Sequence, residues 1–517
     1  MVAAGHPSVS MAGARVLADG GNAVDAVLVM AAVSWLVLPG QCGIGGDAFA
    51  LYRGPDGRVT SFGGSGYGPD GAGTGFYREL GLTAIPLSGA LAVAVPGAVA
   101  AIAALHRAGA SRPLAELWAP VATMAETGVP CTAKTHDDVS QHAESLARDP
   151  DAARAFLPGG RPVRTGQRVL HPALAQTLRR LADDPACLYR GELGERAVAL
   201  LTAAGAPFSG AEWEAGADVS GEPSITAEYG GLLVHQTPPP TPGWMVLQQA
   251  GICADRLGSL PWLGSDAVHW LASAARTSFA DRARAGSDTP FWRTLLEPES
   301  LRVRRERIEN GTAPRPGAMD IDGDTTSMVA VDGAGRAVGL IHSLAHTFGA
   351  RLSVPGTGIM LNNRLGRGAY LAEGHPNAVA PRRRPLHTLN AWLVTDDVGE
   401  LRHIGNVPGG DGQVQWNTQL LSHLIDHGTD PYTAVSAPRF TVFPGSDADV
   451  LEQAPELRCE SRLDPSVLRR LHDLGHPVRR VGAWGAGGSA QVVSLDAATG
   501  ALLGGSDPRQ DGVAIGV

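Results

Sequence analysis

Thr325-Thr326-Ser327-Met328-Val329-Ala330-Val331-Asp332-Gly333-Ala334-Gly335-Arg336-Ala337-Val338 is the stretch on which the reading of this 517-residue chain turns. Two β-prone runs on either side of a Gly-containing turn predict strand, turn, strand. The preceding residues 310–323 contain Pro314, Pro316 and several glycines but little apolar content, and predict a flexible connector. A connector that opens onto a hydroxyl residue at a strand head has a chemical reading beside the plain one. A Thr hydroxyl is a poor nucleophile until a neighbouring base takes its proton. If the chain is cut just before Thr325, the new α-amino group, with an ordinary pKa of ~7.7 to 8.0, supplies that base from the same residue. Taken alone, Asp324-Thr325-Thr326 is equally an unexceptional strand start.

Outward from this boundary the chain changes character. Residues 8–18 and 22–36 carry small and apolar side chains at helical spacing, separated by Gly20-Gly21, and predict a helical hairpin. Residues 48–52 and 58–62 around Pro55-Asp56-Gly57 predict a β-hairpin. Helical patterning dominates residues 96–310, with helices expected over 97–108, 114–126, 172–182, 194–204, 244–257 and 266–284. After the connector, strands are expected over 327–331, 337–341, 392–395, 401–404 and 489–495.

Composition narrows the function classes. A hydrophobic fraction of 44% with 18% charged residues excludes disorder for most of the chain. The 67 glycines and 5% aromatics favour an α/β fold with many tight turns. A net charge of -9 argues against a nucleic-acid partner, which needs a basic field. Five scattered cysteines in no CxxC pair indicate neither a disulfide framework nor a zinc site; small core residues in a reducing compartment are expected. The N-terminus lacks a basic segment followed by an apolar one, so a cytoplasmic location is expected. The apolar run 26–38 is too short to span a bilayer and reads as a buried helix, so no membrane partner is implied. Gly43-Ile44-Gly45-Gly46 lacks the Lys-Ser/Thr of a phosphate loop and reads as a structural turn. His6, His342, His346 and His387 are not spaced as a metal set, so no metal and no cofactor is expected; His387 is a candidate pocket residue.

The Thr325–Thr326 strand, its hairpin, Ser343 and Phe348-Gly349 together resemble the nucleophile region of gamma-glutamyltranspeptidases. Landmarks of that family follow in order along nearly the whole chain. They include Gly20-Gly21-Asn22-Ala23-Val24-Asp25-Ala26, Val95-Pro96-Gly97, Phe279-Ala280-Asp281-Arg282, Gly358 to Asn363, Arg384-Pro385-Leu386, Pro408-Gly409-Gly410 and Ser506-Asp507-Pro508-Arg509. The resemblance implies an α/β fold, the four-layer αββα sandwich of N-terminal-nucleophile hydrolases with a largely helical outer shell. It implies cleavage between Asp324 and Thr325 into a large chain, 1–324, and a small chain, 325–517, which together form one intertwined heterodimeric unit. By the same resemblance Thr325 is the nucleophile, Ser343 replaces the Thr that hydrogen-bonds it, and Gly409 and Gly410 supply the oxyanion-hole amides. Glycines suit that role because backbone N–H groups come close to a reacting carbonyl without a side chain in the way.

The family's pocket for an α-amino acid head is rewritten here. Positions that hold Gln or Glu and Asp become Arg364 and Arg367, the Asn ahead of Phe348 becomes Ala345, and the paired serines become His387 and Thr388. The stretch expected to carry the carboxylate-gripping Arg, between Phe62 and Phe76, has none. Arginine in place of Asp reverses the sign of the site, so Arg364, Arg367, His387 and Thr388 are expected to bind a small anionic, non-glutamyl substrate. The plain alternative turns both arginines to solvent. The bond is an amide, as in glutaryl or cephalosporin acylases, or a carbon-carbon bond next to an α-keto acid, by analogy with homologues from 4-alkyl-proline antibiotic biosynthesis. A conventional glutathione hydrolase and a non-catalytic scaffold of the same fold are the alternatives.

Overall fold

A computed structural model of the chain describes residues 1–287, 289–311, 325–443 and 454–517. Most of the predicted connector, and Asp324 with it, lies outside the described residues. The central strands are, in chain order, β1 (Val2–Ala4), β2 (Asp47–Arg53), β3 (Val59–Gly64), β4 (Gly221–Pro223), β5 (Ile225–Tyr229), β6 (Leu232–Gln236), β7 (Thr326–Val331), β8 (Ala337–Ser343), β9 (Trp392–Thr395), β10 (Leu401–Asn406), β11 (Gln491–Leu495), β12 (Leu502–Ser506) and β13 (Val513–Ile515). They form a seven-stranded antiparallel sheet, β13-β1-β7-β8-β2-β3-β4, and a six-stranded antiparallel sheet, β12-β11-β10-β9-β6-β5.

Side-chain alternation along these strands sorts the core into layers. Met328, Ala330, Val338 and Leu340 face a helical layer built on α1 (Pro7–Ala18) and α2 (Ala23–Val37). Val329, Val331, Ala337 and Ile341 face the other way and pack with Phe49, Leu51, Leu389, Ala391, Leu393 and Ile404 between the two sheets. Trp392, Val394, Val234 and Val492 turn to the far side, against α3 (Gly243–Cys253) and α4 (Gly412–Ile425). The four layers are therefore helix, sheet, sheet, helix.

Local chemistry explains the helix ends. Asn22 caps α2 by accepting from the amides of Val24 and Asp25, while the Asp25 side chain accepts from Asn22, a reciprocal capping box. Every residue of α2 is buried, as the apolar run 26–38 predicts. No helix of the described residues is long and apolar enough to cross a membrane. All five cysteines are free, and four are buried.

The sheets mix the two halves of the chain on either side of residue 325. β7 and β8 lie between β1 and β2, and the second sheet joins β5 and β6 to β9 and β10. A break in the backbone ahead of Thr325 therefore leaves both pieces woven through both sheets. The β5–β6 hairpin stands where helical patterning alone was expected. Its signal is the Gly230-Gly231 turn, both residues with positive φ, at the two-residue spacing typical of tight hairpins. The helix α4 was likewise not anticipated; its glycine-containing start masks the pattern.

Candidate active site

Register places the candidate residues side by side. His342 pairs with Thr326 and Ser343 with Asp47, so one step further along β7, Thr325 comes opposite Ser343. Thr325, Ser343 and Asp47 lie on three neighbouring strands at positions that continue the inter-sheet faces of Val329, Ile341 and Phe49. The apolar layer between the sheets thus ends in a row of polar side chains. Thr325 is 2% exposed, and its Oγ1 has no hydrogen-bond partner among the described residues. Ser343 Oγ accepts from the amide of Ala345 at 2.9 Å, which braces the turn leaving β8. Gly46, at the entry to β2, is required by this packing: a Cβ there would come within 3.0 Å of the Ser343 carbonyl oxygen.

Gly409 and Gly410 lie in the loop between β10 and α4, with φ of 131° and 54°. Their carbonyls accept from the amides of Gly412 and Gln413 at 3.1 and 3.2 Å, at the start of the helix. Their own N–H groups have no acceptor among the described residues. A pair of uncommitted amides beside a helix N-terminus is suited to stabilising developing negative charge.

The rewritten pocket positions converge on a residue that sequence reasoning passed over. Asp47 is fully buried, and its Oδ2 receives Arg364 Nε at 3.0 Å and His387 Nε2 at 3.1 Å. His387 Nδ1 accepts from the amide of Leu389, which assigns the ring proton to Nε2 and makes it the donor to Asp47. Burial opposes ionisation of Asp47, but the His387 hydrogen bond and the Arg364 guanidinium outweigh it and hold the carboxyl below its usual range. Burial, and then the Arg364 charge, push His387 down to about 3, so the ring is neutral near pH 7. Asp47 Oδ1 has no hydrogen-bond partner among the described residues.

These contacts add a carboxylate to the group of Arg364, Arg367, His387 and Thr388 expected from the sequence. Arg364 and His387 are both fully buried, and each is engaged by Asp47. Neither arginine turns to solvent: Arg367 is 3% exposed and donates Nη1 to the Ala345 carbonyl at 2.8 Å. Ala345 adopts a φ of 86°, a left-handed conformation that Asn tolerates and Ala does not favour, and the Ser343 Oγ and Arg367 Nη1 hydrogen bonds to its backbone brace it there. Thr388 is buried, with no partner for its hydroxyl among the described residues.

Arg282 links the two sides of the site. From the helix Ser265–Ala285 it ion-pairs with Asp411, next to Gly410, and donates Nη2 to the His387 carbonyl at 2.6 Å. Asn362 and Asn363, from the Gly358–Asn363 motif, are structural. Asn362 bonds Gly45 and Ala94, and Asn363 bonds Leu87 and the amide of His346. The signal for Asp47 was available in Gly46-Asp47 at the head of β2, but its partners are 317 and 340 residues away.

An αββα sandwich with a buried hydroxyl residue at the head of a central strand is the architecture of an N-terminal-nucleophile hydrolase. The model of the gamma-glutamyltranspeptidase family matches residues 9–517, and the chain belongs to that family. It is 32% identical to the oxamate amidohydrolase proenzyme of Klebsiella pneumoniae, covering 100% of this chain and 98% of that protein. It is 31% identical to the glutathione hydrolase-like YwrD proenzyme of Bacillus subtilis, with the same coverage of 100% and 98%. Among solved structures, cephalosporin acylase from Bacillus halodurans superposes with a TM-score of 0.87 at 28% identity, over 99% of this chain and 94% of that one.

Two measurements check the electrostatics. The unfolded chain takes up a proton on each histidine below pH ~6.5, whereas folded His387, His342 and His423 resist until about 3, and His171, His235 and His403 until about 4. Stability is therefore full above pH ~6.5 and falls as pH drops through the window from 6.5 toward 3; the Asp47 contribution goes last, below its ordinary 3.8. Thermal melting from pH 7 to pH 4 should show a steep decline in Tm, and a flat profile would contradict the burial of neutral rings. Second, Asp47→Ala breaks a fully buried ion pair and should cost roughly 3 to 5 kcal/mol by urea unfolding. A loss under about 1 kcal/mol would mean that the pair is dispensable.

Proposed function

We propose that the chain is a self-processing amide hydrolase that works through an acyl-enzyme on a small anionic, non-glutamyl substrate. The observation that carries the chemistry is the buried Thr325 Oγ1 with no side-chain base beside it among the described residues. A base must then come from Thr325 itself, and its backbone nitrogen becomes a free amine only when the bond to Asp324 is broken. In the self-cleavage step, Thr325 Oγ adds to the Asp324 carbonyl carbon and the C–N bond breaks. The resulting ester is hydrolysed by water to give the two chains, which associate as a heterodimer.

In turnover the α-amine takes the Oγ proton as Oγ adds to the substrate carbonyl. The N–H groups of Gly409 and Gly410 receive the negative charge on the carbonyl oxygen. The amine leaves with the proton held by the α-ammonium, and water, deprotonated by the same amine, hydrolyses the acyl ester. Ser343, opposite Thr325 in the strand register, is the side chain placed to orient the Thr325 hydroxyl once the bond to Asp324 is broken. The relatives' names, an amidohydrolase and an acylase, favour carbon-nitrogen over carbon-carbon cleavage.

Charge supports the substrate class. Arg364 and Arg367 bring two guanidinium groups to the site, the first of them engaged by Asp47, and such forks suit a carboxylate. The second reading, a conventional glutamyl hydrolase, rests on Asp47 Oδ1: a buried carboxylate oxygen without a partner is a place for a substrate ammonium.

Intact-mass analysis of purified protein should give two fragments meeting at Thr325, and Thr325→Ala one folded, full-length, inactive chain. Wild-type protein that stays uncut yet turns over substrate would overturn the mechanism. For specificity, oxamate should be hydrolysed with ammonia release, and gamma-glutamyl-p-nitroanilide poorly. Arg367→Asp should lower oxamate kcat/KM about 10- to 100-fold, the equivalent of one charge-assisted hydrogen bond. Efficient nitroaniline release by the wild type, lost in Asp47→Asn, would establish the glutamyl reading instead.

A further inference from the structure

We infer that Trp416 is a positioning residue for catalysis: its buried indole is the plate against which the Gly409–Gly410 loop is pressed into shape. The inference rests on the reading of those glycine amides as the oxyanion hole. Trp416 lies on the first turns of α4 and is fully buried. Three glycines from two separate segments contact its ring edge. A Cβ at Gly409 or at Gly412 would come within 3.0 Å of the ring, and one at Gly488 would stand 2.7 Å from Cζ3.

The plate is itself fixed on its other sides. Its Nε1 donates to Thr441 Oγ1 at 2.9 Å, which sets the rotation of the ring. The Arg439 guanidinium stacks 5.4 Å from the ring centroid, donates Nη1 to the Gly487 carbonyl at 2.9 Å and ion-pairs with buried Asp507. Arg439 thus packs on the ring and also ties down the Gly487-Gly488 segment. Gly409 reaches its φ of 131° only because it lacks a Cβ, and nothing covalent holds it there. The indole face removes the alternative conformations, so the two amides are aimed before substrate arrives. A donor that must first be ordered is worth less in the transition state than one already fixed.

The test is a double-mutant cycle, read on full-length protein by amide hydrogen exchange over residues 407–413, by thermal melting, and by hydrolysis of 4-nitrooxanilate as a chromogenic anionic amide. Trp416→Leu should speed exchange in the loop at least tenfold and lower kcat about 10- to 100-fold while KM stays within threefold. Trp416→Phe, which keeps an aromatic plate, should retain most of the activity. Gly412→Ala should be harmful alone, because the nearest atoms that its methyl meets are those of the indole. In the Trp416→Leu background it should be neutral or stabilising, because Ala favours the helix. If Trp416→Leu does not fold, Trp416→Phe with and without Gly412→Ala gives the same comparison on a smaller scale. Unchanged loop exchange, or harm from Gly412→Ala that is independent of residue 416, overturns the inference. Faster exchange and the reciprocal Gly412 pattern with unchanged turnover would uphold Trp416 as the loop's support and sink the oxyanion reading of Gly409 and Gly410.

Discussion

Antiparallel pairing of Thr326–Val331 with Ala337–Ser343, and of the latter with Asp47–Arg53, is the constraint on which the site depends. Strand side chains alternate with period two, so a register fixed by Val329, Ile341 and Phe49 in the apolar layer also fixes Thr325, Ser343 and Asp47 at its end. A slip of one residue would turn Thr325 toward α1 and α2 and send half of the inter-sheet core to the wrong face. The hydrophobic layer is therefore what aims the polar residues, and no loop needs to place them individually.

Electrostatics adds a second level. Asp47, Arg364 and His387 are all removed from water, where an isolated charge would be strongly unfavourable. Arg364 and Asp47 neutralise each other, and His387 meets the carboxylate as a neutral donor. The three positions are thus coupled: Asp47 accepts a hydrogen bond from each of the other two. The Asp47 cluster therefore joins the two halves of the chain.

The same coupling extends toward the glycine loop. Arg282 joins Asp411 to the His387 carbonyl, so a side chain from the helical shell holds the loop beside Gly410 and the backbone beside Asp47 at a fixed separation. Geometry at the Asp47 cluster and geometry at the amides are therefore not independent, although they come from different layers of the sandwich.

The family, the α/β class, the helical hairpin at the N-terminus and the strand-turn-strand after residue 325 were legible from local patterning, because period-two and helical spacing are properties of neighbouring residues. Thr325, Ser343 and the Gly409-Gly410 pair could be singled out as candidates because they stand in short contiguous motifs. Asp47, Arg282 and Trp416 were not legible, since the first two act on partners 105 or more residues away, and Trp416 acts through glycines whose meaning appears only when their missing side chains are seen to make room for a ring. Sequence also showed that Arg364 and Arg367 bring positive charge to the pocket. Only the tertiary structure decided that Asp47 neutralises the first and that the second braces the backbone of Ala345, because charge compensation depends on distance in space and not on position in the chain.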